Sequence, residues 1–248
     1  MPISTGQLLP GFVRTAVKRT AARAGFEVTR DPFAHRLARL CERAGVQTVL
    51  DVGANSGQYA RLIRSGGYRG RIISCEPLAE PCGRLRAAAR TDPRWHVVRA
   101  ALGRQRGTIT VHVAGNSYSS SVLDMLPSHA EAAPESVYVG AEEAPMTTVD
   151  DLLDDVTAPS TLLKIDVQGY EGEVLAGASR SLGRIAAVQL ELSLIPLYTG
   201  QLLMGELVEM LSGRGFDLWS IEPGFRDGRT GQMLQCDGIF VRRGRVEP

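Results

Sequence analysis

Short apolar runs alternate along the chain with segments whose apolar residues recur at helical spacing. The apolar runs predict strands at residues 48–52, 71–75, 96–98, 162–165 and 187–192. The helical spacing predicts helices at residues 57–64, 80–89, 149–153, 173–182 and 202–211. This alternation predicts a doubly wound α/β fold, in which a mostly parallel sheet carries helices on both faces.

Four further segments complete the predicted pattern. Residues 107–114 alternate with a period of two, which predicts an extra strand or one arm of a hairpin. Residues 217–221 and 238–242, separated by several glycines and a proline, predict an antiparallel pair at one edge of the sheet. Residues 127–145 are rich in Ala and Glu, and we expect a long loop there.

The first part of the chain has a different character. Four basic residues precede its first acid, Glu27, and apolar residues recur at helical spacing, which predicts an amphipathic helix. Asp31 and Pro32 predict the cap and first turn of a second helix that ends at Arg43. We therefore divide the chain into a helical extension or lid at residues 1–45 and a main domain at residues 46–248. The basic helix packs over the core, contacts an anionic membrane surface or partner, or acts as a transit peptide.

Composition narrows the class of protein. Hydrophobic residues make up 44% and charged residues 22% of the 248 positions, as in a soluble globular domain. A net charge of +1 gives no footprint for nucleic acid, and no apolar run reaches the length of a membrane span. The four cysteines lack metal-site spacing, so we expect free, mostly buried thiols in a reducing cytoplasm: Cys41, Cys75, Cys82 and Cys236.

The turn after the first strand carries the strongest functional signal. It has the pattern Asp51-x-Gly53-x-Asn55-x-Gly57 between an apolar strand and a helix, a geometry that aims backbone N–H groups at a nucleotide-like ligand. Asn tolerates the left-handed backbone that a middle glycine would otherwise supply. The pattern therefore differs from the Gly-x-Gly-x-x-Gly of dinucleotide sites.

Glu76 and Pro77 end the second predicted strand. An acid at that point accepts hydrogen bonds from both hydroxyls of a ribose, and a helix cap with Pro at the first helical position is a compatible alternative for Glu76. We expect Asp51 to orient the glycine turn or to reach an amino group of the ligand through water.

Five sequence segments together resemble the FkbM family of S-adenosylmethionine-dependent methyltransferases. The resemblance covers roughly residues 46–243 and rests on Leu50 to Gln58, Glu76-Pro77, Asn116-x-x-Ser119-Ser120, Lys164-Ile-Asp-Val-Gln-Gly-Tyr-Glu171 and Glu191-Leu-Ser193. It implies a seven-stranded sheet, S-adenosylmethionine as cofactor, and methylation of sugar or polyketide hydroxyls.

The resemblance also implies a cofactor site. We expect the cofactor to contact Asp51, Gly53, Ala54, Asn55, Gly57, Glu76, Pro77, Ala101 and Leu102. Family members often carry Asn and Asp where this chain has Arg99 and Arg104, so its adenine pocket departs from the family pattern. The site is rich in acids, which suits a sulfonium cation better than the pyrophosphate of NAD.

Methylation of an alcohol requires a group that removes its proton. Asp166 directly follows an apolar strand, and ligands of open α/β sheets lie beyond the carboxyl ends of the strands. Asp166 is therefore our first choice for the base or a metal ligand, and Glu191 and Asp237 lie near matching strand ends. We favour catalysis without a metal, and Mg²⁺ held by these three carboxylates and bound to a sugar diol stays open. We expect Glu171 to be a first-turn helix acid.

Several polar and aromatic residues are candidates for binding the methyl acceptor. Asn116, Ser119 and Ser120 form either a polar turn or a loop that binds substrate hydroxyls. We place His129 in an active-site loop, where it binds substrate or is simply solvated. Tyr170 and Tyr198 either stack on a sugar face or pack near the crevice. Trp95 and Trp219 are expected in the core.

The leading hypothesis is therefore a cytoplasmic O-methyltransferase of small molecules, which acts on a sugar of a glycolipid or glycosylated natural product. A cofactor-binding protein of the same fold without catalytic activity is one alternative. A nucleotide-dependent oxidoreductase is another, although the altered glycine pattern speaks against it. Whether the protein forms a homodimer is left open.

Overall fold

The structure is a computed structural model that describes residues 32–154 and 160–246, together with Thr20 and Arg23. The predicted amphipathic helix therefore lies almost wholly outside the described residues, and the division at residue 45 stays a prediction. The next predicted helix is present from Phe33 to Arg43, with Pro32 directly before it. None of the described helices is both long enough and apolar enough to span a membrane.

The described strands and helices follow one another in the predicted alternation. The strands are β1 (Thr48–Val52), β2 (Arg71–Cys75), β3 (Trp95–Val98), β4 (Ala101–Leu102), β5 (Gly107–Ala114), β6 (Tyr138–Thr147), β7 (Thr161–Ile165), β8 (Ile185–Ser193), β9 (Phe216–Pro223) and β10 (Gln235–Arg242). The α-helices are α1 (Phe33–Arg43), α2 (Gln58–Ser65), α3 (Ala79–Ala89), α4 (Pro127–Ala132), α5 (Val149–Asp154), α6 (Glu171–Ala176) and α7 (Met204–Gly213).

Seven of these strands form the main sheet, in the order β3-β2-β1-β7-β8-β10-β9. The strands β3, β2, β1, β7 and β8 run parallel to one another, and β10 runs antiparallel to both β8 and β9. The predicted fold class and the antiparallel closing pair are thus confirmed. The strand order reverses between β1 and β7, and ligands of open α/β sheets bind at such a point.

The core covers both faces of the main sheet. Every residue of β1 and β7 is buried, as expected for central strands that helices cover on both sides. Leu50 and Leu163 belong to the cluster on one face, and Val49 and Leu162 to the cluster on the other. Because neighbouring residues of a strand point to opposite faces, each apolar run contributes to both clusters.

A second, three-stranded sheet lies where a long loop was predicted, and this prediction is wrong. Residues 127–145 instead contain α4, a short 3₁₀ turn at Pro134–Ser136 and most of β6. β6 pairs with β5 in antiparallel orientation and with β4 in parallel orientation. Glycine, alanine and glutamate disfavour strands by themselves, so pairing with β5 stabilises β6 despite its sequence.

Two smaller predictions are also corrected. α6 ends at Ala176 instead of residue 182, and the following Gly177 packs so closely on the backbone of Gly103 that a side chain there would clash. Trp219 was expected in the core, yet it lies on the edge strand β9 and is 43% exposed. Trp95 and all four cysteines are buried, and the cysteines are free, as predicted.

We predict that Gly53→Ala lowers the free energy of unfolding by at least about 2 kcal/mol. Gly53 has a φ of +75°, and a Cβ there would lie 1.7 Å from the backbone oxygen of Asp166. Urea unfolding monitored by circular dichroism measures the change.

Gly83→Ala is the matched control, because Gly83 lies inside α3 with open space around its missing Cβ. This substitution should stabilise the protein by up to about 1 kcal/mol through helix propensity. Equal stabilities of the two variants would contradict the close approach of β1 and β7 at Gly53.

Candidate active site

A cavity lies at the carboxyl ends of β1, β2, β7 and β8, between the main sheet and the three-stranded sheet. Ten of the predicted site residues line it: Gly53, Asn55, Glu76, Pro77, Ala101, Leu102, Ser120, Asp166, Tyr170 and Glu191. Eight predicted residues do not line it: Asp51, Ala54, Gly57, Asn116, Ser119, His129, Tyr198 and Asp237. Glu76 and Asp166 therefore line the same cavity. The functional interpretation of the sequence depends on this shared placement.

The glycine turn has the backbone that its sequence predicts. Gly53, Asn55 and Gly57 all have left-handed φ values, of 75°, 45° and 88°. The Asn55 side chain donates to the backbone oxygen of Ser117 at 3.1 Å and thereby ties the turn to the loop after β5. A Cβ on Gly57 would lie 2.8 Å from the Trp95 ring, so close packing also requires glycine there.

Asp51 supports the glycine turn from beneath through Lys164. Asp51 is fully buried, accepts a hydrogen bond from Ser74 Oγ at 2.9 Å and lies 3.3 Å from Lys164 Nζ. Lys164 in turn donates to the backbone oxygen of Gly53 at 3.1 Å. This is the orienting role that was one of the two expectations for Asp51. Asp51 does not line the cavity, so the alternative contact with a ligand is not supported.

Burial and charge act in opposite directions on this pair. Burial raises the pKa of Asp51, while the Lys164 ammonium lowers it. Burial alone would lower the pKa of Lys164, but Asp166 and Asp51 outweigh it and raise that pKa. Lys164 is therefore held as a buried cation that contacts two acids.

Glu76 ends β2 with its carboxylate directed at the glycine turn. Its Oε2 accepts from the N–H of Asn55 at 2.8 Å, and its Oε1 accepts from the N–H of Leu78 at 3.0 Å. Each oxygen keeps a further lone pair for an incoming hydroxyl. Burial raises the pKa of Glu76 to about 7, against the opposing effect of these N–H donors. α3 begins at Ala79, so Pro77 is not its first residue and the alternative of a simple cap is corrected.

Asp166 and Glu191 share a single amide donor. Nε2 of Gln168 donates to Asp166 Oδ1 at 2.9 Å and to Glu191 Oε2 at 2.7 Å. Asp166 Oδ2 also lies 3.4 Å from Lys164 Nζ, whereas Glu191 Oε2 accepts a second amide N–H, from Gln235 at 2.8 Å. Burial, followed by the charge of Asp166, raises the pKa of Glu191 well above its ordinary value.

The alternative of a Mg²⁺ site at Asp166, Glu191 and Asp237 does not fit these contacts. Asp237 pairs with Glu191 in the β8–β10 register as expected, but it lies outside the cavity lining and accepts weakly from Gln189 at 3.4 Å. Amide and ammonium donors contact the carboxylate oxygens that a cation would need. Within the described part of the chain, no three acids, histidines or cysteines are arranged to hold a metal ion.

Glu171 has a structural role in the loop after β7. It is the first residue of α6, as predicted, and is buried. Its Oε1 accepts from the N–H groups of Val167 and Gly169, both at 3.1 Å. Burial raises its pKa to about 7, and these hydrogen bonds oppose the shift.

The predicted acceptor-binding residues divide into two groups. Ser120 and Tyr170 line the cavity, whereas Asn116 and Ser119 bond to each other and form the polar turn that was the alternative. His129 is wrongly predicted as a loop residue: it lies in α4 and is 2% exposed, and burial lowers its pKa. Its ring packs edge-on against the Tyr198 ring, with centroids 5.1 Å apart.

Tyr198 is 1% exposed, so its ring is not available to stack on a sugar. Its hydroxyl instead donates to Gln168 Oε1 at 2.7 Å. The sequence analysis missed the roles of Gln168, Gln235 and Tyr118. Gln168 lies inside a quoted motif and could have been found, whereas Gln235 comes near Glu191 only through the β8–β10 register. Tyr118 lies inside the predicted loop that begins at Asn116, and it is 64% exposed at the cavity.

The two arginines that depart from the family pattern pair with acids elsewhere. Arg99 contacts Glu142 of β6 at 2.6 Å and donates to the backbone oxygen of Pro77 at 3.2 Å. Arg104 forms two hydrogen bonds to Glu173. Neither arginine lines the cavity. Among the described residues that line the cavity there is no Arg, Lys or His. The cavity therefore suits a hydroxylated or cationic ligand better than a phosphate.

Comparisons with known proteins found a matching family profile and a related protein. The family profile described as Methyltransferase FkbM domain matches residues 51–218. The 2-O-methyltransferase NoeI of Sinorhizobium fredii (strain NBRC 101917 / NGR234) is 25% identical over 170 residues, which cover 66% of this chain and 70% of that protein.

Two solved structures with similar folds were also found. A putative O-methyltransferase from Klebsiella pneumoniae has a TM-score of 0.49 at 13% identity and covers 95% of this chain and 92% of its own. Magnesium protoporphyrin IX methyltransferase (ChlM) from Synechocystis PCC 6803, with bound SAM, has a TM-score of 0.46 at 11% identity. The match covers 93% of this chain and 81% of that protein.

We predict that Lys164→Met lowers the free energy of unfolding by about 3–5 kcal/mol, because it leaves Asp51 buried without a counter-charge. Adding Asp51→Asn should recover at least half of this loss, since Asn keeps an acceptor for Ser74 Oγ. A double-mutant cycle measured by urea unfolding tests the coupling, and additive losses would contradict it.

Proposed function

The chain belongs to the FkbM methyltransferase family, and we propose that it is an S-adenosylmethionine-dependent O-methyltransferase of a small hydroxylated molecule. One observation carries the proposal: Glu76, with free lone pairs beside the glycine turn, shares a cavity with the Asp166 carboxylate. The family match begins at Asp51 and includes Glu76, Asp166 and Glu191.

The cavity residues fit the parts of S-adenosylmethionine. Glu76 has acceptors for the two ribose hydroxyls, and Ala101 and Leu102 offer an apolar surface for the adenine. Asp166 and Glu191 line the same cavity, and the acids around it suit a sulfonium cation better than an anion. When bound, the cofactor supplies a methyl group that is electrophilic because the sulfur carries a positive charge.

Asp166 is the proposed general base. An alcohol that attacks the methyl carbon must lose its proton, and Asp166 is an acid at the cavity surface whose side chain is 37% exposed. The Lys164 ammonium lies 3.4 Å from one carboxylate oxygen, and the Gln168 amide donates to the other and fixes the orientation of the group. The proton therefore passes from the acceptor hydroxyl to an oxygen of Asp166.

We infer that the acceptor is a polyol, such as the sugar of a glycolipid or glycosylated natural product. Hydroxyl groups are concentrated on one wall of the cavity, at Ser117, Tyr118, Ser120 and Ser121. The name of NoeI specifies an O-methyltransferase, which supports oxygen as the acceptor atom. A cytoplasmic location, a homodimer and peripheral membrane contact stay predictions.

Two other functions are separable by experiment. A protein that binds the cofactor without catalysis would bind S-adenosylmethionine but transfer no methyl group. An oxidoreductase would bind NAD, which the lack of cationic residues among the described cavity residues disfavours. Calorimetric titration with each cofactor and methyl transfer to a panel of methyl glycosides and polyols distinguish the three.

We predict that Glu76→Ala weakens S-adenosylmethionine binding by at least about 1.5 kcal/mol, the scale of a lost hydrogen bond to a charged group. We also expect wild-type affinity to fall as the pH falls through about 7, the value to which burial raises the pKa of Glu76. Above that pH the carboxylate accepts both hydroxyls, and below it the added proton removes an acceptor. Isothermal titration calorimetry at several pH values measures both effects.

Glu76→Gln is the control for the pH effect, because it keeps the shape of the side chain and cannot titrate. Its affinity should be weaker than that of the wild type and insensitive to pH over the same range. An equally steep pH dependence in Glu76→Gln would assign the effect to another group, such as Glu171.

We predict that Asp166→Asn binds S-adenosylmethionine within about twofold of the wild type but loses about 10²- to 10⁴-fold in turnover, as expected for a lost general base. Calorimetry measures the first quantity and transfer of a labelled methyl group to the best acceptor of the panel measures the second. Wild-type turnover in this variant would move the base role to another residue.

A further inference from the structure

The side chain of Gln168 lies at the centre of a hydrogen-bond network that the proposed reaction does not by itself explain. All of its polar atoms are engaged: Oε1 with the Tyr198 hydroxyl, and Nε2 with both Asp166 and Glu191. Gln235 adds a second donor to the same oxygen of Glu191. Gln168 and Tyr198 are both buried, so bulk water does not compete for these contacts.

Tyr198 determines which way the Gln168 amide faces. Its hydroxyl donates to Oε1 at 2.7 Å, so the two N–H groups of Nε2 point at the two carboxylates. The reversed amide would place Oε1 against the oxygens of Asp166 and Glu191, where charges of the same sign repel.

The backbone of Gln168 is held in a strained conformation for this contact. Its φ is +55°, a left-handed value that is unfavourable for a residue with a side chain. Ser121 Oγ donates to the backbone oxygen of Gln168 at 2.7 Å and holds the loop in place. Strain of this kind persists where surrounding contacts enforce it, and it is common at functional sites.

The two carboxylates have different partners. Asp166 Oδ2 lies 3.4 Å from the Lys164 ammonium, a charge of opposite sign. Among the described residues, the donors to Glu191 are neutral amides, and its acidic neighbours are Asp166, Glu171 and Asp237.

Lys164 is also the counter-charge of Asp51, so a single cation is shared among several acids. Desolvation of the Glu191 carboxyl and the charges of its acidic neighbours favour its neutral form, and the N–H of Gln168 opposes this effect. Both amide N–H groups contact Oε2, so the proton of a neutral Glu191 has to lie on Oε1.

We propose that Gln168, aligned by the Tyr198 hydroxyl, is a positioning residue that holds one oxygen of Asp166 and one oxygen of Glu191 with its two N–H groups and thereby fixes the proton of a neutral Glu191 on Oε1. The other oxygen of Asp166 faces the Lys164 ammonium. The site then presents a proton acceptor and a hydrogen-bond donor side by side.

This arrangement deepens the proposed methyl transfer and, for its catalytic consequence, rests on it. Asp166 is free to take the proton of the acceptor hydroxyl, while the Oε1–H of Glu191 donates to an oxygen of the acceptor and orients it. The protonation pattern itself exists without cofactor or acceptor, so it can be tested separately.

Infrared spectroscopy of protein labelled with carbon-13 carboxyl glutamate tests the protonation pattern. At about pH 8, one unit above the values near 7 to which burial raises the pKa values of Glu76 and Glu171, a neutral Glu191 gives a carbonyl band. We expect that band in the wild type and in Asp166→Asn, and its loss in Glu191→Gln. No band in the wild type would overturn the proposal.

Substitution of the positioning residues should change the same band. Gln168→Met removes an N–H donor from the Oε2 carbonyl with little change in shape, so the band should move to higher frequency. Tyr198→Phe, which frees the amide to turn, should move it in the same direction by less. Tyr68→Phe is the matched control, because this buried tyrosine loses only a bond to the backbone oxygen of Arg71, far from the cavity. An unmoved band in Gln168→Met would overturn the assignment.

Turnover with the best acceptor of the glycoside panel completes the test. Gln168→Met should lower kcat at least about tenfold, while the Kd for S-adenosylmethionine stays within about twofold. Tyr68→Phe should change neither. If the infrared shifts occur but neither the wild type nor any variant transfers methyl groups, the proposed function fails and the positioning role stands. If wild type transfers methyl groups and Gln168→Met matches it, the positioning role fails alone.

Discussion

The buried ammonium of Lys164 is the contact on which the rest of the site depends. It lies between Asp51 at 3.3 Å and Asp166 at 3.4 Å and donates to the backbone oxygen of Gly53. It therefore joins β1 to β7 at the point where the strand order of the main sheet reverses. A cation buried this deeply is stable only because two acids share its charge. The glycine turn and the proposed base are held in register by one side chain.

From this contact the charge pattern of the cavity follows. Lys164 lies beside the acid at the end of β7, whereas among the described residues the donors to Glu191 on the neighbouring strand are amides. Two carboxylates close enough to share one amide nitrogen thus occupy different electrostatic environments. Environment can assign different chemical roles to two similar side chains in this way. Glu76, on the other side of the turn, accepts one backbone N–H on each carboxylate oxygen. Each oxygen therefore keeps a further lone pair for a hydroxyl.

The three-stranded sheet completes the cavity from outside the main sheet. β5 and the loop after it place Val111, Ser117 and Tyr118 along the cavity, and Asn55 of the glycine turn bonds directly to Ser117. The site therefore combines the glycine turn of the main sheet with a wall built from a separate element. In such folds the turn defines the class of cofactor, while the added wall shapes the space for the second substrate.

The sequence by itself determined the main sheet and the cofactor side of the site. Signals such as the apolar run before Asp51 and the left-handed Asn55 are local, because each depends on neighbours along the chain. Tertiary structure decided what depends on distant pairing: β6 forms only against β5, and Gln235 reaches Glu191 only through the β8–β10 register. Burial of His129 and Tyr198, and the alignment of Gln168, depend likewise on packing between segments far apart in sequence. Such contacts cannot be predicted from neighbouring residues in the sequence, because they stabilise the protein only once the chain is folded.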